Sequence, residues 1–556
     1  MPDHETYLLP ASFGQERLWL HERSGLREAI YNVAGGLRFR GALDVDLLQR
    51  CLNAIVERHE VLRTVFRLSD GEVVQMVAPS AEVRVRLVDA SGDVDAMLRE
   101  LSAEAFDLAE GPLFRCHLLD LGTGEHILYV VLHHIVSDGR SRDVLLGELS
   151  ELYAAGEAGR EPKLPELEVQ YGDFAAWQRQ VLESDALDDQ LAHWRERMYR
   201  APDLVLPQDH VRPPRPTHAV GSAEVAVPAQ VVEELHRAAG GLTPFMIAVA
   251  GYAALLSRWS GQSSVVVAMP VSGREEPELL GLVGFFVNTV PVRIDLDGDP
   301  SLAEILRHTR ERCLEAFAHA AVPFERLMDE VRPQRGGGRL PLARAWAVLQ
   351  ETMDLPPLFD RKVTPVLPPG EGYSPFDVLL ELWSEGGALT GRLSCAADAF
   401  TRGTTQDVAR TFEAILGSPA STTLAELPFL VRQSDPVTEP EAVRAPVGEP
   451  DSAVEQLLAQ LWTEVLEVDG VSVEDEFYAS GGNSLRAIQV MTRARDHGVE
   501  IPVDLVLGEH TIRDLARRDT VQEPDADQRP LPGPGSGPGL GGREASAAPA
   551  PGTEAR

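Results

Sequence analysis

The sequence predicts a mixed α/β fold in two large halves, followed by a small all-α domain. A run rich in β-branched and aromatic residues at 127–132 is typical of a buried strand, and helical segments surround it. A capped helix that begins near residue 243 leads into a second buried strand at 265–269. Residues 451–518 show strong helical spacing of apolar side chains. Because 556 residues are too many for one hydrophobic core, we expect several domains.

The first half spans residues 1–180 and alternates helices with strands. Strands are assigned where polar and apolar residues alternate, and helices where apolar residues recur every three or four positions. The predicted elements are a helix at 43–59, a strand at 60–66, a hairpin of 113–120 and 126–136 around Gly122-Thr123-Gly124, and helices at 145–153 and 171–183.

The second half spans residues 181–430 and includes a proline-rich connection at 207–216. Thr243 is placed to cap a helix whose first residue is Pro244, because proline at this position already has a helical φ angle. The predicted strands are a central one at 265–269 and further segments at 285–287 and 290–294.

Three segments complete the chain. Residues 431–450 lose apolar periodicity and gain proline and glutamate, which predicts a linker. Residues 451–518 form the small helical domain, with Leu458 and Trp462 on its apolar face. Residues 519–556 contain hardly any large apolar side chain, so we expect this tail to be disordered.

Charge and composition exclude several classes of protein. The formal net charge of −35 argues against nucleic acid or an anionic membrane as a partner, because both attract positive surfaces. No run of eighteen apolar residues is present, and the N-terminus lacks the features of a signal peptide. The four scattered cysteines indicate reduced thiols in a cytoplasmic protein, with neither a disulfide framework nor a metal site.

Two adjacent histidines follow the strand predicted at 126–136, in the run His-His-Ile-Val-Ser-Asp-Gly at 133–139. A histidine at the end of a strand can face a cleft while the backbone holds it in place. Since its unperturbed pKa lies near neutrality, histidine suits proton transfer at pH 7. The run therefore predicts an enzyme.

Six motifs in a fixed order show which kind of enzyme the chain resembles. Their order strongly resembles that of condensation domains of nonribosomal peptide synthetases, over roughly residues 7–430. The motifs are Ser-Phe-Gly-Gln-Glu-Arg-Leu-Trp at 12–19, Arg-His-Glu-Val-Leu-Arg-Thr at 58–64, the double-histidine run, Tyr-Gly-Asp-Phe-Ala-Ala-Trp at 171–177, Gly-Phe-Phe-Val-Asn-Thr at 284–289 and Val-Pro-Phe-Glu at 322–325.

The resemblance implies two lobes with the chloramphenicol-acetyltransferase fold, arranged in a V. A tunnel between them would admit one pantetheine arm from each side. It also implies a reaction, in which an acceptor amine attacks a donor thioester and forms an amide. No metal is implied.

The resemblance assigns catalytic roles to His134 and Gly139. The second histidine, His134, would hydrogen-bond the attacking amine, either as a base or mainly to orient it. Gly139 would let the backbone approach the thioester, where a larger side chain would block the tunnel.

The other residues of the motif are expected to be structural. His133 would face the opposite side of the strand. Asp138 would form a bidentate ion pair with Arg63 and hold a loop, which we favour over acid catalysis because a tightly paired carboxylate is a poor proton donor.

Two residues of the second half leave two interpretations open. Asn288 and Thr289 match a crossover segment near the tunnel, but they equally suit a polar turn between strands. Departures from the family pattern concern the tunnel surroundings and so affect the substrate more than catalysis. They are Arg140 after Asp-Gly, Ala321-Val322 before Pro-Phe-Glu, and a loose match at 338–342.

A second motif, Asp-Glu-Phe-Tyr-Ala-Ser-Gly-Gly-Asn-Ser-Leu at 475–485, resembles the attachment site of a four-helix peptidyl carrier domain. Ser484 would then carry a covalent 4'-phosphopantetheine arm, at a helix N-terminus that favours phosphate. The alternative is an ordinary N-capping serine. Asn483 stands where aspartate or histidine is more usual. Acidic residues at 464–476 would serve either docking or solvation.

No adenylation domain lies between the two motifs, and no thioesterase motif follows. We therefore expect a condensation–carrier didomain whose arm is loaded in trans by a separate adenylation enzyme. The other expected partners are an upstream donor carrier, a phosphopantetheinyl transferase and a downstream synthetase module or release enzyme. Two rival functions are acylation of a soluble amine or alcohol and non-catalytic recruitment of a tailoring enzyme.

Overall fold

The computed structural model describes residues 6–23, 29–69, 71–90, 92–122, 124–182, 184–213, 217–331, 342–350, 363–368, 372–431, 448, 450–466, 468, 470–477, 480, 482, 484–501, 503–506 and 510–517. The predicted linker at 431–450 lies outside these residues except for 431, 448 and 450. The predicted tail at 519–556 and Asn483 lie outside them entirely.

The first half combines a large and a small sheet with five α-helices in its described residues. The helices are α1 Phe13–Arg23, α2 Val45–Arg58, α3 Val94–Ala103, α4 Gly139–Ala158 and α5 Tyr171–Leu182. The strands are β1 Tyr7–Pro10, β2 Asn32–Arg40, β3 Thr64–Ser69, β4 Glu72–Val77, β5 Val85–Asp89, β6 Phe114–Asp120 and β7 Glu125–His133. The order β1-β4-β3 forms the small sheet, and β2-β7-β6-β5 form most of the large one.

Local signals explain most of these elements. The helix predicted at 43–59 is confirmed as α2. The side chain of Asp44 accepts a hydrogen bond from the Leu47 backbone and caps it. The predicted strand at 60–66 is wrong in its first part, because Glu60–Arg63 form a 3₁₀ turn. There the Thr64 hydroxyl donates to the Glu60 carbonyl at 2.8 Å.

The predicted hairpin is confirmed, since β6 and β7 pair antiparallel. Its second strand ends at His133 rather than at 136, and His134–Val136 form a 3₁₀ turn. Helix α4 begins six residues before the predicted start, because Asp138 and Ser141 form a capping box at its N-terminus.

The second half is built on a six-stranded sheet with the order β10-β9-β11-β13-β14-β8. The strands are β8 Val220–Val227, β9 Ser264–Val271, β10 Asn288–Asp295, β11 Ala345–Gln350, β12 Thr364–Val366, β13 Val378–Glu385 and β14 Ala388–Ala396. The helices are α6 Asp188–Arg197, α7 Ala229–Ala239, α8 Pro244–Ser260, α9 Leu302–Ala318, α10 Phe324–Val331 and α11 Arg402–Leu416. The predicted cap at Thr243 is confirmed, since its hydroxyl accepts from the Met246 backbone at 3.2 Å.

Each half has its own hydrophobic core, but two segments of the second half cross to the first. Strand β12 pairs antiparallel with β2 and becomes the edge of the first half's large sheet. Leu279, Leu282, Val283, Phe285 and Phe286 belong to the first core. Residues 285–287, predicted as a strand, form no strand because this crossing segment bonds to the first half.

The described part of the C-terminal region contains four helices, α12 Ala453–Leu466, α13 Ser484–Asp496, α14 Val503–Val506 and α15 Ile512–Ala516. Helix α13 packs against α1 of the first half. In the described residues, no single helix is long and apolar enough to cross a membrane. Helices α7 and α8 meet that criterion only as a pair, with a bend of 87° between them.

Candidate active site

His134 lies directly after β7, in the 3₁₀ turn that precedes α4. Its backbone N–H donates to the Tyr31 carbonyl at 2.8 Å. Its ring Nδ1 lies 2.6 Å from the Ser137 carbonyl oxygen. Because a carbonyl oxygen only accepts hydrogen bonds, Nδ1 carries the proton and Nε2 carries a lone pair. The turn therefore presents Nε2 as a hydrogen-bond acceptor.

Burial lowers the pKa of His134 below its ordinary value of 6.5, although the hydrogen bond to Ser137 and the charge of Asp138 oppose this shift. The Phe285 ring contributes to this burial, edge to face with the imidazole at a centroid distance of 4.9 Å. The imidazole is therefore neutral at pH 7, and its Nε2 atom can accept a hydrogen bond from an amine.

His133 is fully buried and has a different set of contacts. Its Nδ1 accepts from the Ile135 backbone at 3.0 Å, so its Nε2–H donates to Glu22 Oε1 at 2.9 Å. Both ring nitrogens are thus used within the protein, which supports the structural role expected for His133. Glu22 lies 111 residues away along the chain, and no sequence motif pointed to it.

The predicted ion pair between Asp138 and Arg63 is wrong. Asp138 pairs instead with Arg274, whose Nη2 lies 2.9 Å from Oδ1, and both side chains are only 1% exposed. Arg63 donates to the Ala78 carbonyl and lies 3.3 Å from Glu60 Oε1. The 3₁₀ turn at 60–63 directs Arg63 to these local partners.

Asp138 is saturated with hydrogen bonds. Besides Arg274, it accepts from the Ser141 backbone at 2.8 Å and from the Phe286 backbone at 3.2 Å. Arg274 also donates to the carbonyls of Leu279 and Leu282, at 2.6 and 2.8 Å. This network ties the N-terminus of α4 to the crossing segment and supports a structural role for Asp138.

Other contacts hold the crossing segment, and the motifs did not predict them. The Ser141 hydroxyl bonds to both the N–H and the carbonyl of Gly284, at 3.0 and 2.9 Å. The Tyr171 hydroxyl donates to the Phe285 carbonyl at 2.7 Å. The sequence motif indicates only a packing role for Tyr171, and its ring does lie against Phe286 as well. Only the fold brings these distant residues together.

Gly139 lies beside open space at the start of α4. A Cβ atom built on Gly139 would meet no other atom within 4 Å. A larger side chain would therefore fit the fold, so packing among the described residues does not require glycine here. That glycine keeps a path open at residue 139 stays a prediction.

Asn288 uses its whole amide group within the protein, at the start of β10. Its Nδ2 donates to the carbonyls of Ala320 and Val322 at 2.9 and 2.7 Å. Its Oδ1 accepts from the backbones of Thr289 and Phe324 at 2.8 and 3.0 Å. Thr289 is only 1% exposed. Both residues belong to β10 and pair with β9, so the predicted polar turn between strands is wrong, and a place near the tunnel stays a prediction.

The second predicted site lies at the N-terminus of α13, which begins at Ser484. Just before it, a Cβ atom on Gly482 would lie 2.3 Å from the Phe477 ring, so only glycine fits there. Phe477 is fully buried and stacks edge to face on Trp462. Gly482 is therefore packed on this core, and the helix N-terminus that follows suits a phosphate. These residues fit a phosphopantetheine arm on Ser484.

Comparisons with known families assign the two sites to two different families. A family model described as "Condensation domain" matches residues 5–428. A second model, described as "Phosphopantetheine attachment site", matches residues 456–518.

The curated relatives are much longer proteins. Malpinin synthetase of Mortierella alpina is 36% identical over 409 residues, which are 71% of this chain and 5% of that protein. Phosphinothricin tripeptide synthetase PhsC of Streptomyces viridochromogenes is 35% identical over 458 residues, 79% of this chain and 42% of the relative.

Among solved structures, the complex of the X-domain and OxyB from teicoplanin biosynthesis contains a similar chain. The TM-score is 0.70 at 28% identity, and the match covers 76% of this chain and 96% of that one.

Proposed function

Because the chain belongs to the condensation-domain family of nonribosomal peptide synthetases and ends in a phosphopantetheine carrier domain, we propose that it forms an amide bond. The donor would be an acyl or peptidyl thioester on an upstream carrier. The acceptor would be an aminoacyl group held as a thioester on the chain's own arm at Ser484.

The hydrogen bond from His134 Nδ1 to the Ser137 carbonyl, which leaves the lone pair of the neutral ring on Nε2, is the observation that carries this proposal. In the reaction, the amine nitrogen bonds to the donor carbonyl carbon and the carbon–sulfur bond breaks. The nitrogen loses a proton and the departing sulfur gains one. Nε2 accepts the hydrogen bond of the attacking amine and is placed to take that proton, whether as a full base or mainly to orient the amine.

The remaining residues are proposed to shape and hold the site. Asp138 and Arg274 fix the start of α4, and with it the turn that holds His134. Gly139 keeps the adjacent space open. His133 is held by Glu22 and does not reach the substrates.

The arm on Ser484 would supply the thiol that holds the acceptor. We propose that a phosphopantetheinyl transferase adds this arm and that a separate adenylation enzyme loads it in trans. An upstream carrier would deliver the donor, and a downstream module or release enzyme would remove the product.

Recruitment of a tailoring enzyme is a second candidate, favoured by the likeness to the X-domain found in complex with OxyB. A recruiting surface has no need of a histidine that presents Nε2 with its proton fixed on Nδ1. Acylation of a soluble amine or alcohol would keep this histidine but would leave the product free of Ser484. The three functions therefore differ in where the product is found. Amide formation leaves it on the Ser484 arm, acylation of a soluble acceptor leaves it in solution, and recruitment forms no product.

The test uses the full chain, converted by a phosphopantetheinyl transferase and aminoacyl-coenzyme A into its aminoacyl form. A soluble acyl thioester serves as donor, and intact mass spectrometry follows the protein. We expect the acyl group to appear on the aminoacyl arm. His134→Ala should lower this rate by about a hundredfold or more, while His308→Ala, at an exposed histidine of α9, should not.

Each other outcome contradicts a specific part of the proposal. An unchanged rate in His134→Ala would remove its catalytic role. Acylation of added soluble amine alone would favour the soluble-acceptor function. Loading of the arm in Ser484→Ala would place the attachment site elsewhere.

A further inference from the structure

We propose that Phe285, whose ring packs against Gly14, restricts the acceptor to amino acids with small side chains. This inference rests on the proposed amide-forming function and adds the substrate class. Four steps carry it: the contact with His134, the fixed backbone, the missing side chain at residue 14 and the side on which the carrier domain packs.

The first step is the contact between Phe285 and His134. The two rings meet edge to face at 4.9 Å, and Phe285 is only 5% exposed. An amine that hydrogen-bonds His134 Nε2 brings its own Cα atom one bond away. The acceptor side chain therefore begins close to the Phe285 ring, and the ring limits the room for it.

The second step is that Phe285 cannot move away easily, because its backbone is held on both sides. Its carbonyl accepts from the Tyr171 hydroxyl at 2.7 Å, and the next N–H donates to Asp138 Oδ2 at 3.2 Å. The preceding residue, Gly284, bonds twice to the Ser141 hydroxyl. The backbone that carries the ring is therefore fixed, and the ring can leave His134 only by rotation of its own side-chain bonds.

The third step concerns Gly14, in the first turn of α1. A Cβ atom on Gly14 would lie 2.8 Å from Cε1 of Phe285. The φ angle of Gly14 lies outside the positive range that favours glycine, so its backbone conformation does not require this residue. Glycine is less favourable than alanine in a helix, so its presence here calls for a reason. The missing side chain is thus explained by the space that the Phe285 ring occupies.

The fourth step identifies the acceptor as the restricted substrate. Gly14 lies on α1, and α13 of the carrier domain, which begins at Ser484, packs against that same helix. An arm on Ser484 therefore starts from the α1 side of the molecule. Gly14 and the Phe285 ring that packs against it belong to this same side through α1, and we place the incoming aminoacyl group there.

The test compares glycyl, alanyl, leucyl and phenylalanyl acceptors, each loaded on the arm of the wild type and of Phe285→Ala. We expect the variant to raise the rates for the leucyl and phenylalanyl acceptors, relative to glycyl, by about tenfold or more. Donors of two acyl lengths should keep their order. An unchanged acceptor order, or a change confined to the donors, would overturn the inference.

Phe400→Ala is the matched control. Phe400 is 3% exposed and lies against the Trp259 ring at 5.0 Å, so its loss should destabilise the fold similarly without touching His134. Phe285→Leu serves if the alanine variant does not fold, and Gly14→Ala should displace the ring and lower the glycyl rate. The same relaxation of acceptor size in Phe400→Ala would overturn the inference, because it would assign the effect to general loosening.

A titration of His134 by nuclear magnetic resonance separates this inference from the proposed function. Removing the Phe285 ring should admit water and raise the pKa of His134 towards its ordinary value, whether or not the protein condenses anything. A wild type with no condensation activity, but with this shift in Phe285→Leu, would refute the proposed function while upholding the contact. An unchanged pKa of His134 in Phe285→Leu would contradict the proposed contact between this ring and the site.

Discussion

Two adjacent histidines, His133 and His134, differ chemically because their ring nitrogens meet different partners. His133 has one nitrogen on the Ile135 backbone and the other on Glu22. His134 donates from Nδ1 to a carbonyl, which leaves Nε2 as an acceptor. The alternation of a strand predicts that one faces inwards and the other the cleft. Which proton each ring carries depends on distant partners, so only the structure supplies it.

The pH dependence of the rate should report the protonation of His134. Burial lowers its pKa, so the active neutral imidazole persists below pH 6.5. We expect kcat/KM to remain level from pH 7.5 to 6.5 and to fall only as the pH drops through the lowered pKa. The measurement is a pH–rate profile with an acceptor of constant protonation. An acid limb centred at or above pH 6.5 would contradict the expected shift.

A second buried histidine, His117 of β6, should affect stability rather than rate. Burial lowers its pKa to about 4, and neither ring nitrogen has a hydrogen-bond partner among the described residues. Below pH 6.5 the unfolded chain binds a proton that the folded chain does not, so stability declines as the pH falls from 6.5 towards 4. His117→Leu should remove this decline.

Chemical denaturation at pH 8 and pH 5 measures that effect. The stability lost by the wild type on acidification should exceed that lost by His117→Leu, by about 2 kcal/mol at pH 5. Equal losses would show that His117 is readily protonated in the folded protein.

At the scale of elements, the signals that succeeded are local. Helix α2 follows from its Asp44 cap and its apolar spacing, and α8 from Thr243 and Pro244. One failure has its cause in partners far along the chain. Residues 285–287 have strand-like composition, but their backbone bonds to Asp138 and Tyr171 of the first half. No periodicity within the segment carries that information.

The start of α4 depends on the ion pair between Asp138 and Arg274, which gives a test of the corrected pairing. Arg274→Leu would leave the buried Asp138 carboxylate without its cation, and we expect a loss of about 3–5 kcal/mol in the free energy of unfolding. Arg63→Leu removes only local bonds and should cost about 1–2 kcal/mol. The measurement is urea denaturation of both variants. Equal losses would reinstate Arg63 as an equal contributor.

At the scale of the whole molecule, the sequence predicted the mixed α/β fold and the small helical domain. It did not predict that β12 completes the first sheet, or that residues 279–286 enter the first core. A three-residue strand has too little pattern to recognise. The candidate site could be proposed from its histidines and its serine because these lie in compact motifs. Glu22, Arg274 and Phe285 act through contacts that only the fold creates.

The carrier domain should unfold as a separate unit that Arg513 holds together. Arg513 contacts Glu474 and lies 3.5 Å from Glu455 and 3.6 Å from Asp451. These contacts join α15 to the start of α12 and to the loop before α13. We expect Arg513→Met to lower the melting temperature of the smaller calorimetric transition by several degrees. A shift of the larger transition instead would show that the carrier domain does not unfold independently.

The pairing of β12 with β2 sets a limit on recombination between synthetases. A chimera joined near residue 180 would keep the first large sheet of one parent but receive its edge strand, and the Arg274 partner of Asp138, from the other. Such a hybrid would combine mismatched partners at the edge of its first large sheet and in the buried ion pair at the start of α4. Exchange points placed after residue 428, where the family match ends, would transfer the first large sheet together with its edge strand β12.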